Sequence, residues 1–269
     1  DNTNLVDPHG DSVQVVLVEA TFEKDILIID ETDESLFTAG LSFYKNKDAV
    51  VDSFYARIFN TSEQWDFFKQ GMVPKNVLGQ YKLIIWHADN PYSTPQNVHK
   101  LPSYIKDVED YLNVGGDLIM GGWRILKSFA QSEPFPKTFN DGDFIHDYLH
   151  ILTANESVFI PTDFTGVWAN KDTEFSDAQV DSIKLAEWPY SGKLGYINIM
   201  PRQAGFTQVI YQYANDIQSG IPIWRGEPVG LRYYGSVFDT IVLGFPLFFM
   251  AEDDAQVMAD EMLHSLGYQ

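Results

Sequence analysis

Two short stretches carry the residue types that could do chemistry: Asp30-Glu31-Thr32-Asp33 and His87-Ala88-Asp89. Each follows a short apolar run, Ile26-Leu27-Ile28-Ile29 in the first case and Leu83-Ile84-Ile85-Trp86 in the second. If those runs are neighbouring parallel strands, both groups fall on one edge of a sheet. Asp30, Asp33, His87 and Asp89, with Glu31 beside them, would then offer several oxygens and one imidazole to a divalent cation, Ca²⁺ or Mg²⁺. A cation held there would activate water and give hydrolysis. The competing reading is that carboxylates at strand ends cap the helices that follow and stay solvated. With 38 acidic residues in the chain, that reading stands ahead. A phosphoryl-acceptor role for Asp30 is disfavoured, because Thr32 stands where a second Asp would be required. His146 and His150 have the i,i+4 spacing of metal ligands on a helix, but no third ligand accompanies them.

The elements that would position these groups read as alternating strand and helix. The central unit is Leu101 to Phe129. Ser103 is placed to cap a helix whose Ile105, Val108 and Leu112 recur at helical spacing, and Asn113 to Gly116 stop it. Asp117-Leu118-Ile119-Met120 follows as a buried strand, and Gly121-Gly122 turns the chain into Trp123. Before it come the strands Asp25–Asp30 and Tyr81–Trp86, a helix over Asp48–Phe59 and a short helix over Val73–Leu78. After it come a strand over Ser236–Leu243, the turn Gly244-Phe245-Pro246 and an amphipathic helix over Glu252–Leu266 closed by Gly267.

Between about 131 and 234 the alternation fails. Phe144 to Leu149 reads as a short helix; Val158 to Pro161, Lys193 to Ile199 and Phe206 to Tyr213 read as strands; Gly220 to Arg232 reads as a loop or hairpin. The expected fold class is therefore α/β, a doubly wound and mostly parallel sheet flanked by helices, with a large β-containing insertion before the last strand and helix. Residues 1–24, with a strand over Ser12–Ala20, read as a linker or as the last strand of a preceding β domain; residues 25–269 read as the main domain.

Composition narrows the partners. A 269-residue chain with 45% hydrophobic and 14% aromatic residues can bury a sizeable core. A net charge of −20 argues against nucleic acid, which is bound through clustered Lys and Arg. No apolar run approaches the ~18–20 residues that span a bilayer. The absence of cysteine removes thiolate catalysis, disulfides and Cys-ligated zinc. The acidic, aromatic-rich composition and the start at Asp1 point to a piece of a larger exported bacterial protein, extracellular or at the cell surface.

The order of parts resembles the class I glutamine amidotransferase-like superfamily, whose fold is flavodoxin-like. The likeness rests on Tyr111-Leu112…Gly115-Gly116…Leu118-Ile119…Gly122 and on the late strand before the last helix, covering roughly residues 25–130 and 235–268. In that family a Cys at a tight strand-to-helix elbow works with the His and Glu of a His-Pro-Glu motif. Here the elbow reads Gly121-Gly122-Trp123-Arg124, and Phe245-Pro246-Leu247 stands where His-Pro-Glu would. The resemblance thus implies a catalytically silent domain, a binding or structural module. Trp123, Arg124 and Phe245 are its ligand-binding candidates: the indole as a stacking platform, the guanidinium as a clamp for a carboxylate. A Trp after a glycine turn more often packs onto its sheet. Trp168, Trp188, Tyr190, Trp224, Tyr233 and Tyr234 in the insertion would suit a glycan or protein ligand, or build a small core of their own. The expected partner is another domain of the same polypeptide, a protein or a glycan; the alternative function is the cation-dependent hydrolase.

Overall fold

Alternate residues of the first apolar run face opposite ways, and that alternation builds the two layers of the core. Ile28 joins one buried cluster, while Leu27 and Ile29 join the other. A strand buried on both faces must lie inside a sheet with cover above and below. The computed structural model describes residues 18–32, 47–61, 63–89, 99–130, 133–157, 164–186, 194–215 and 224–268.

In chain order the strands are β1 (Lys24–Asp30), β2 (Gln64–Asp66), β3 (Tyr81–Ala88), β4 (Asp117–Gly122), β5 (Lys137–Thr138), β6 (Ile151–Glu156), β7 (Gly166–Ala169), β8 (Ala178–Gln179), β9 (Asn198–Gln203), β10 (Thr207–Ala214), β11 (Pro228–Tyr234) and β12 (Asp239–Leu243). Among the described residues they form a nine-stranded sheet, ordered β2-β1-β3-β4-β12-β11-β10-β7-β8, and a three-stranded sheet, β5-β6-β9. The pairs from β2 to β12 are parallel. Those from β12 to β8 are antiparallel.

This corrects the expected fold class. The sheet is mixed, and the doubly wound, mostly parallel arrangement is not what forms. Only Gly235 to Phe238 separate β11 from β12. A parallel crossover needs about a dozen residues or more, so so short a link can only reverse the chain. The stretch read as an insertion is accordingly split. Its β7, β8, β10 and β11 extend the main sheet, and β5, β6 and β9 make the small one. Residues 228–232, the end of the stretch read as a loop or hairpin, belong to β11, whose Val229 and Leu231 are buried.

The Lys47–Ile58 and Glu252–Ser265 helices pack on one face of the sheet through Val51, Phe54, Ala255, Met258 and Met262. The Ile105–Asn113 helix covers the other through Val108 and Leu112. Its expected cap is also corrected. Ser103 lies in a short 3-10 turn, Leu101–Ser103, and Tyr104 is the N-cap without a side-chain hydrogen bond. The strand expectations over Ser12–Ala20 and Val158–Pro161 fall wholly or largely outside the described residues.

Candidate functional site

β1 and β3 are adjacent and parallel, and Asp30 stands opposite His87 in their register. The pairing places both polar groups at one carboxyl edge of the sheet. His87 Nδ1 lies 2.8 Å from Asp89 Oδ2 and 3.5 Å from Asp30 Oδ1. The ring of Tyr55 stacks on the imidazole, with centroids 3.6 Å apart and planes 7° from parallel, and its hydroxyl donates to Asp89 Oδ1 at 3.3 Å. The Thr32 amide donates to Asp30 Oδ1 at 2.8 Å, and the Asp89 amide to Thr32 Oγ1 at 3.2 Å. All of these side chains are buried.

Burial pushes the Asp30 carboxyl well above the usual carboxylate range, opposed by the charge of His87. Burial alone would lower His87, but Asp30 and Asp89 more than offset it and leave the imidazole raised. Beside them, Glu31 accepts from Trp86 Nε1 at 2.9 Å and from the Leu101 amide at 3.3 Å, and the Lys100 amide also donates to it. Its side chain thus caps the 3-10 turn, while burial pushes its carboxyl up to about 8.

Asp33, the fourth ligand expected from sequence, lies outside the described residues. Asp30, His87 and Asp89 do converge; Asp89 engages Nδ1 and Tyr55 stacks on the ring, while His87 Nε2 has no hydrogen-bond partner among the described residues. The sequence reading missed Asp48 and Asp66. A carboxylate oxygen from each of Asp30, Asp48 and Asp66 lies within 4.8 Å of the others. Asp48 is in the first turn of the Lys47–Ile58 helix, and Asp66 pairs with Asp30 across β1 and β2. Tyr55 could have been found from its place seven residues after Asp48 on the same helix face. Asp141, His146 and Asp147 also group within ligand distance, at a more exposed place.

The ends of β4 and β12 are filled differently. Trp123 is 2% exposed; its ring meets Phe249 edge-on, and Nε1 donates to the Gly195 carbonyl at 2.9 Å. Phe245 is 0% exposed, against Phe164 and Tyr211. Arg124, at φ +61°, forms a bidentate pair with Glu156 of β6 at 2.8 and 2.9 Å and lies 4.2 Å over the Tyr196 ring. The carboxylate that the guanidinium was expected to clamp is thus one of the chain's own. β9 closes the same edge. The Asn198 amide donates to the Gly244 carbonyl at 2.7 Å, and Asn198 Oδ1 accepts from the Leu126 amide at 3.0 Å.

His99, also missed from sequence, completes the buried polar groups here. Its amide donates to Ser128 Oγ at 2.9 Å, and its Nε2 lies 2.8 Å from the Trp123 carbonyl. Of the aromatic residues between 131 and 234, Trp168 sits under Arg225 at 5.0 Å and Trp224 packs against the core. Trp188 and Tyr190 lie outside the described residues.

No family model and no curated protein matches the chain. Solved structures do. A β-galactosidase of the Antarctic haloarchaeon Halorubrum lacusprofundi superposes with a TM-score of 0.51 at 14% identity, over 90% of this chain and 30% of that one. A β-galactosidase of Bacillus circulans sp. alkalophilus gives 0.52 at 12% identity, over 92% and 32%. Gan42B, a GH42 β-galactosidase of G. stearothermophilus, gives 0.53 at 11% identity, over 91% and 30%. The chain spans about a third of the length of these structures, and at such identities the likeness is one of fold.

These findings overturn the resemblance to the glutamine amidotransferase-like superfamily and with it the flavodoxin-like description. The motif that suggested it is a helix, a glycine turn, a buried strand and a second glycine turn, a grammar that many parallel βα units share. The matched structures carry nothing on secretion or on neighbouring domains of this chain. No described helix is long and apolar enough to cross a membrane.

Proposed function

We propose that the chain is a non-catalytic binding or structural module of a larger protein, engaging another domain of the same polypeptide, a second protein or a glycan. The observation that carries this reading is the filled carboxyl edge of the sheet. Open α/β sheets leave ligand crevices at that edge. Here Trp123 and Phe245 are buried in it, Arg124 is neutralised by Glu156, and Asn198 of β9 bonds the Gly244 backbone after β12 and the Leu126 amide after β4. A fold that makes up about a third of several β-galactosidase chains is consistent with a part that serves a larger whole.

A second reading, a divalent-cation-dependent hydrolase on Asp30, Asp33, His87 and Asp89, is favoured by the convergence of Asp30, His87 and Asp89 within 3.5 Å. Turnover separates the two. The protein and its His87→Gln variant are compared on p-nitrophenyl esters, phosphates and β-galactosides with Mg²⁺, Mn²⁺, Ca²⁺ and Zn²⁺. The module reading expects no turnover beyond background in either protein. Turnover that disappears in His87→Gln would sink it and promote the hydrolase.

A further inference from the structure

Like charges placed as close as Asp30, Asp48 and Asp66 require a counter-charge. Lys69 supplies one: its Nζ lies 3.4 Å from Asp48 Oδ2 and also contacts Asp66 Oδ2. Among the described residues that ammonium, 56% exposed on a flexible stem, reaches Asp48 and Asp66, while Asp30 has His87 Nδ1 at 3.5 Å. Two of the buried oxygens are less well served. Asp30 and Asp48 are 2% and 3% exposed, yet Asp30 Oδ2 and Asp48 Oδ1 have no hydrogen-bond partner among the described residues. A carboxylate oxygen removed from water without a donor is costly, and each such atom in a folded protein calls for an ion or water to explain it.

We propose that Asp30, Asp48 and Asp66 form an oxygen-only binding site for a hard divalent cation, Mg²⁺, Mn²⁺ or Ca²⁺. Carboxylate ligands without thiolate or imidazole select such ions over Zn²⁺ or Cu²⁺. The side chains that share ligand distance are the three carboxylates without His87, whose Nδ1 is engaged by Asp89. When the ion enters, Lys69 swings into solvent, and the two buried oxygens gain the partner they lack. The ion would tie the end of β1 to the Lys47–Ile58 helix and to β2. The inference goes beyond the module reading and does not depend on the identity of the module's partner.

Mn²⁺ binding to the intact chain, followed by electron paramagnetic resonance at constant ionic strength, tests it, with Mg²⁺ and Ca²⁺ as competitors. The expected result is one Mn²⁺ per chain, displaced by a competitor and weakened at least tenfold by Asp48→Asn and by Asp66→Asn. Asp141→Asn and His87→Gln should leave binding unchanged. Should Asp48→Asn fail to fold, Asp66→Asn decides, because an Asn there can still cap the Phe67–Gln70 turn. No bound Mn²⁺ up to millimolar concentration would overturn the site, as would binding insensitive to Asp66→Asn. Loss of binding in His87→Gln would overturn it too, by placing the ion on the His87–Asp89 set.

Discussion

His99 is held neutral by where its two nitrogens lie. Nε2 faces the Trp123 carbonyl, which only accepts, so Nε2 carries the proton. Nδ1 has no partner among the described residues, and burial pushes the imidazole below its ordinary value. A base with a lowered folded pKa binds protons more readily when unfolded, so its contribution is complete above the unfolded value of about 6.5 and is lost as pH falls below it. The stability lost in His99→Gln should therefore be largest above pH 7.5. It should shrink on acidification below about 6.5, at up to about 1.4 kcal/mol per pH unit. Urea melts of both proteins at pH 5.0, 6.5 and 8.0 measure this. A penalty that grows toward pH 5 would mean that the folded protein carries an imidazolium. In sequence, His99 stands alone, with no motif around it. Its role depends on Ser128 and Trp123, 29 and 24 residues away, which only folding brings near. The same holds for Asp48 and Asp66, which meet Asp30 from a helix and from an edge strand.

At the scale of elements, the β3–β4 contact is a close backbone joint at the filled edge. The Trp123 amide donates to the Ala88 carbonyl at 2.8 Å, which pulls the end of β4 against β3. A Cβ on Gly122 would stand 2.5 Å from that carbonyl oxygen and 3.0 Å from the Ala88 nitrogen, both backbone atoms that cannot swing away. Gly122→Ala should cost more than about 3 kcal/mol or leave the protein insoluble. Gly142→Ala, at φ +93° with open space around it, should cost only about 1 kcal/mol. Urea midpoints compare the two, and an equal small loss in both would show that β3 and β4 can separate. The glycine pair was legible as a place where the backbone turns. The packing of Trp123 onto its sheet was also the favoured reading, but the extension of the strand through Gly122 and the contact of Trp123 with Phe249 were not legible, because both depend on what packs against them. The Lys47–Ile58 and Glu252–Ser265 helices match the sequence reading closely, since a buried stripe at helical spacing is a local signal.

At the scale of the molecule, one strand joins two kinds of sheet. β12 pairs in parallel with β4 and antiparallel with β11. The parallel and antiparallel parts therefore share a continuous hydrogen-bonded ladder, and the buried cluster holding Ile28 and Ile119 runs on to Tyr211 and Val229. Thermal unfolding should be one cooperative transition, with equal calorimetric and van't Hoff enthalpies. Two resolved transitions in a calorimetric scan would show instead that the halves melt separately. The amino-acid sequence by itself determined the buried strands, the long helices, the acidic surplus and the place of Asp30, His87 and Asp89 at the ends of apolar runs, because each follows from local periodicity or composition. Only the tertiary structure decided that residues 131–234 divide between two sheets, that Arg124 meets Glu156, and that Asp30 faces Asp48 and Asp66. Those outcomes rest on pairings between residues distant in the chain, which local pattern does not encode.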